Sequence, residues 1–104
     1  MELRELQRQC VEDSAKYFPD YATFISTEYL LVALAGEVGE LCNDYKKFAR
    51  GDYLMPINGL AAQELPDILI YLLLIAENYQ IDLQTAYDAK REFNNGRFGD
   101  NSQA

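Results

Sequence analysis

Residues 30–50 read LLVALAGEVGELCNDYKKFAR, and residues 60–78 read LAAQELPDILIYLLLIAEN. In the first stretch Leu31, Leu34, Val38, Leu41, Tyr45 and Phe48 alternate in steps of three and four, the period of a helix–helix seam. In the second, ILIYLLLIA is apolar on every side, and such a helix belongs in the middle of a bundle. A chain of 104 residues has little material with which to wrap it. One covering layer is therefore expected from a second copy. Neither stretch alternates like a strand, so the fold class is all-α.

Working outward, residues 2–17 form a first helix, stopped at Phe18-Pro19 because a residue before proline avoids the α region. An aromatic loop follows, Tyr21-Ala22-Thr23-Phe24-Ile25, and Ser26 or Thr27 then caps the second helix. Gly51-Asp52 ends that helix near Arg50. Asn58 is the expected cap of the third helix, which ends near Asn78. Pro66 either kinks it or delays its start to about Leu65. Asp82 caps a fourth helix over residues 83–95, which Gly96 closes, and residues 99–104 form a frayed tail. The expectation is one domain over residues 1–104, with a four-helix core spanning about residues 27–98.

The net charge of −8 argues against partners bearing a phosphate backbone and against anionic membrane surfaces. The uninterrupted apolar run at 68–76 falls well short of the ~20 residues that span a bilayer. The opening MELRELQRQ has no apolar segment of the signal-peptide kind. Cys10 and Cys42 have no metal-type or redox-type spacing and read as two reduced, partly buried thiols, which suits the cytoplasm. The chain has no histidine, which excludes His-based acid–base chemistry, His-ligated zinc and the Glu-x-x-His di-iron bundle.

The acids are placed unusually. Glu37 and Glu40 lie three apart on the second helix, Glu64 and Asp67 three apart on the third, so each pair shares a helix face. On the third helix that face reads Leu60, Glu64, Asp67, Tyr71, Leu74, apolar on both sides of the acids. On the second it reads Leu30, Ala33, Glu37, Glu40, Asp44, Lys47, beside the apolar seam. Most charged helix residues are solvated, but these interrupt packing surfaces. Two carboxylates about 4 Å apart repel by about 4 kcal/mol at an effective dielectric of about 20. A divalent cation turns that repulsion into binding energy, and an all-oxygen donor set suits Mg²⁺ or Mn²⁺ better than zinc or iron. Interior Gly36 and Gly39 each weaken the second helix, which points to a close backbone approach there. Lys90, Asn94 and Arg97 form a cationic-polar face ending at Phe98, suited to phosphate oxygens.

Glu37-x-x-Glu40, Glu64-x-x-Asp67 and Lys90-x-x-x-Asn94-x-x-Arg97-Phe98, in this order, resemble the MazG-like all-α nucleoside triphosphate pyrophosphohydrolase family, over about residues 30–98. The resemblance implies a homodimer or a dimer-of-dimers tetramer. Glu37, Glu40, Glu64 and Asp67 would be the catalytic, metal-holding acids. Lys90, Asn94, Arg97 and Tyr71 would bind substrate. The implied reaction is Mg²⁺-dependent cleavage (Mn²⁺ being the other suitable metal) of a nucleoside triphosphate between the α and β phosphates, giving monophosphate and pyrophosphate. Trp or His, frequent in the first-helix region of pyrimidine-reading relatives, is missing here, so the base is open. Tyr17, Phe18, Tyr21 and Phe24 are candidates to stack on it. The competing readings are a phosphoribosyl-ATP pyrophosphatase-like enzyme and a non-catalytic acidic dimerisation module.

Overall fold

The computed structural model describes residues 2–19, 26–52 and 55–99. The aromatic loop with Tyr21 and Phe24, and the tail beyond Gly99, lie outside the described residues. Among the described residues four α-helices carry the fold: α1 (Leu3–Tyr17), α2 (Thr27–Ala49), α3 (Ile57–Asn78) and α4 (Leu83–Asn94), which runs on into a π-helical turn, Asn95–Gly99. Among the described residues there is no strand.

Local chemistry sets the helix ends. Ser26 Oγ accepts the Tyr29 N–H at 3.1 Å, so Ser26 is the cap and Thr27 is already helical. At the far end of α2 Gly51 turns left-handed (φ +85°), and the Asp52 N–H reaches back to the Lys47 carbonyl at 2.9 Å. The same closure ends α3 with a costlier residue: Gln80 takes φ +58°, and the Ile81 N–H bonds the Ala76 carbonyl at 2.8 Å. Asp82 Oδ1 caps α4 through the Thr85 N–H at 3.3 Å.

Two expectations are corrected, and one of the two alternatives at Pro66 is removed. Asn58 is no cap, because Pro56, extended at φ −59° and ψ 152°, takes the cap position and leads the chain into α3 two residues earlier, at Ile57. Pro66 does not delay α3, which continues through it. Gly96 does not close the last helix, since Gly51 alone among the described glycines adopts positive φ, and the chain widens into a π turn instead.

α2 and α3 form an antiparallel hairpin, since Leu30 near the start of α2 clusters with Leu73 and Leu74 near the end of α3. Leu30 and Leu73 are fully buried, and Cys10 of α1 completes the core with Leu3, Leu6, Val11, Tyr71, Ile75 and Leu83 around it. α1 lies along α3, and α4 rests mainly on α1. The α1 attachment is polar as well as apolar. Buried Gln7 donates through Nε2 to Glu77 Oε2 (3.1 Å) and the Ile81 carbonyl (2.9 Å), while its Oε1 accepts the Leu83 N–H (3.1 Å). Beside it Arg4 Nε pairs with Asp82 Oδ2 at 2.6 Å. That partner raises the arginine's pKa and lowers that of the aspartate.

The expected seam on α2 splits into two rows. Leu34, Leu41 and Phe48 are half-buried, whereas Leu31, Val38 and Tyr45 are exposed along with Ala35 and Cys42. Cys42 is thus a surface thiol, contrary to the reading of both cysteines as partly buried. Leu65, Leu69 and Leu72 form a matching exposed row on α3. Open space surrounds Gly36 and Gly39, so no close approach within the chain explains them. The radius of gyration, 17.3 Å, exceeds the roughly 13 Å of a compact domain this long. By length and composition α3, 22 residues with a mean hydropathy of 1.5, is long and apolar enough to cross a membrane. Glu64 and Asp67, however, sit in its middle.

Candidate metal and nucleotide site

The acidic faces of α2 and α3 meet. Glu37 and Glu64 are half-buried, Asp67 is more exposed, and one carboxylate oxygen from each lies within 4.8 Å of the others. Helical spacing accounts for this. Glu64 and Asp67 are neighbours across one turn of α3, and the antiparallel hairpin brings the middle of α2 opposite them. Glu40 stands outside this group and is exposed, yet its charge bears on Glu64, as does that of Asp44. Desolvation first, then a hydrogen bond and repulsion from Glu37, hold the Glu64 carboxyl above its ordinary pKa. Three carboxylate oxygens this close together suit a hard divalent cation such as Mg²⁺, which takes oxygen ligands.

Next to the acids opens a cleft of about 420 Å³ lined by Ser14, Phe18, Tyr29, Leu30, Glu37, Asp67, Ile70, Tyr71 and Leu74. One end is acidic and the other apolar and aromatic, a size and lining common for small-molecule sites. Tyr71 bridges the two. Burial, then Glu37, Tyr29 and Asp67, push its phenol pKa up, so it stays a neutral hydrogen-bond donor at pH 7.

Of the residues expected at the site, Glu37, Asp67 and Tyr71 line this cleft and Glu64 adjoins it. Lys90, Asn94 and Arg97 do not line it. They lie on α4 and the π turn, where Lys90 sits over the Phe93 ring (5.2 Å) and Arg97 over Phe98 (4.9 Å). Of the aromatic candidates, Phe18 lines the cleft and Tyr17 does not. Tyr29 and Ser14 were not singled out from sequence, although helical spacing held the signal. Tyr29, Ala33 and Glu37 follow at steps of four, as do Ser14 and Phe18.

Comparison with known proteins agrees with this picture. The chain is 34% identical over 101 residues to dCTP pyrophosphatase 1 of Mus musculus and of Homo sapiens, and 35% to that of Rattus norvegicus. In each case 92% of this chain aligns, while it spans 58% of the relative's length. No protein-family model matches the chain, and no solved structure does so significantly. Across nearly all of its length, and with an all-helical architecture among the described residues, the chain is thus similar to dCTP pyrophosphatase 1, of which it spans somewhat over half.

Proposed function

We propose that this protein is a Mg²⁺-dependent nucleoside triphosphate pyrophosphohydrolase, releasing monophosphate and pyrophosphate. The observation that carries the reading is the convergence of Glu37, Glu64 and Asp67 from two helices beside an aromatic cleft. Glu37, Glu64 and Asp67 would hold Mg²⁺, or Mn²⁺, with Glu40 beside them. The bound metal would neutralise phosphate charge and stabilise the leaving pyrophosphate. We assign to Glu40, outside the three-acid group, the removal of a proton from the water that attacks the α-phosphorus. The neutral Tyr71 phenol donates to sugar or phosphate oxygen at the boundary of the two cleft ends.

Substrate cations are then needed from elsewhere. Lys90, Asn94 and Arg97 keep their substrate-binding role in this proposal if α4 of a second copy delivers them. The exposed rows Leu31–Val38–Tyr45 and Leu65–Leu69–Leu72, with the extended shape, support a homodimer or a pair of dimers. The same rows suit a helix bundle in water, the cytoplasm being the proposed setting. A membrane-spanning α3 would put Glu64 and Asp67 in hydrocarbon.

The test is pyrophosphate release from ribo- and deoxyribonucleoside triphosphates, dCTP first among them, with and without Mg²⁺. Metal-dependent release, abolished in Glu37→Ala and Asp67→Ala, is expected. No release from any nucleotide would leave an acidic dimerisation module, and release from phosphoribosyl-ATP alone would reassign the substrate.

A further inference from the structure

Two polar side chains, Gln7 and Ser14, are buried in α1. They have opposite fates. Gln7 satisfies both ends of its amide, whereas the Ser14 hydroxyl has no hydrogen-bond partner among the described residues, although the residue is only 8% exposed. A serine inside a helix has a ready alternative in the carbonyl four residues back, here that of Cys10, and this bond is not made. A buried hydroxyl left unpaired costs free energy, so native structures give such groups a partner.

Ser14 lines the cleft at its apolar end, with Leu30 and Leu74 buried nearby and Phe18 and Tyr29 exposed at its edges. Glu37 and Asp67 occupy the other end. If the triphosphate lies at the acids, the planar base falls among the aromatic and aliphatic side chains. There, among the described residues, the one uncharged hydroxyl besides the two tyrosines is that of Ser14.

Resting on the pyrophosphohydrolase reading, we propose that Ser14 is a specificity-determining residue whose hydroxyl hydrogen-bonds a polar edge atom of the substrate's nucleobase. Stacking on Phe18 or Tyr29 accepts any base, since every base has a π face. A hydroxyl that must be paired rejects a base presenting the wrong group, because mismatch leaves a buried polar atom without a partner.

The experiment compares the wild-type protein with Ser14→Ala and Ser14→Thr on the four deoxynucleoside triphosphates at fixed Mg²⁺. For the preferred base Ser14→Ala raises KM about fivefold to tenfold, the worth of one hydrogen bond, with kcat within about twofold. The other bases change little, so discrimination collapses, while Ser14→Thr keeps the wild-type ranking. The melting temperature of Ser14→Ala does not fall, because no internal bond is lost. An active wild-type enzyme indifferent to base overturns the proposal, as does a Ser14→Ala effect that is nil or equal on all four bases. That outcome would fit a hydroxyl serving only water. A wild-type protein inert on every nucleotide overturns the pyrophosphohydrolase reading itself.

Discussion

Replacing Gln7 with Met keeps the length and nearly the volume of the side chain but deletes its three hydrogen bonds. Two of them, to the Ile81 carbonyl and from the Leu83 N–H, are neutral and contribute about 0.5–1.5 kcal/mol each. The third, to the Glu77 carboxylate, is charge-assisted and contributes about 1.5–3 kcal/mol. Glu77 and Ile81 are exposed enough for water to replace part of the loss. The Leu83 N–H is harder to rescue, being an unpaired donor of the first turn of α4 in a half-buried position. The net cost is about 2–3 kcal/mol, which lowers the melting temperature by about 10–20 °C in a domain of this size. Thermal unfolding by circular dichroism at one fixed protein concentration measures it, since the proposed assembly would make the midpoint concentration-dependent. A double-mutant cycle with Glu77→Ala should return a coupling of about 1–2 kcal/mol. A drop of less than about 3 °C for Gln7→Met, or additive losses in the cycle, would refute the reasoning.

Gln80→Gly should raise stability by about 0.5–1 kcal/mol, because it removes a left-handed side-chain residue from the end of α3; an unchanged or lower urea midpoint would contradict this. Glu64 titrates above its unfolded value, so its contribution favours the folded, metal-free chain in acid and is lost as pH rises through the raised pKa. Magnesium competes with that proton, so the melting-temperature gain from about 5 mM Mg²⁺ should be larger at about pH 7.5 than at about pH 5. An equal or smaller gain at the higher pH would count against metal at these acids. Val38→Asp adds a charge to the exposed row of α2 and should shift the mass by light scattering from oligomer to monomer; an unchanged mass would place the interface elsewhere. Gly39→Ala, with open space around the new methyl, should stabilise by about 0.5–1 kcal/mol, and a loss on thermal unfolding would reveal another surface approaching there.

The helices and the convergence of acids were legible because both are periodic. Steps of three and four locate Glu37, Glu64 and Asp67 on facing stripes, and Ser26 and Asp82 announce the starts of α2 and α4. What escaped depended on backbone detail that residue type does not determine. A proline before Ile57 made Asn58 redundant as a cap, and a glycine in right-handed conformation at 96 did not stop the last helix. The cleft required α1, and nothing in the spacing of α1 alone says which of its faces lies on α3. The separation of Lys90, Asn94 and Arg97 from the acids is likewise a matter of where α4 points. That direction is set by long-range contacts with α1, including the Arg4–Asp82 pair.

The attachment of α1 bears on the order of assembly. Gln7 and Leu83 meet although they are 76 residues apart in the chain, whereas α2 and α3 are neighbours joined by a short connection. Closing the larger loop costs more entropy, so the hairpin carrying the acids forms early and α1 docks late. Unfolding that retraces this order frees the α1 flank, with Ser14 and Phe18, before the hairpin that carries the carboxylates comes apart. Admission of a bulky ring can thus proceed by loosening one flank, leaving undisturbed the paired rods that carry the acids.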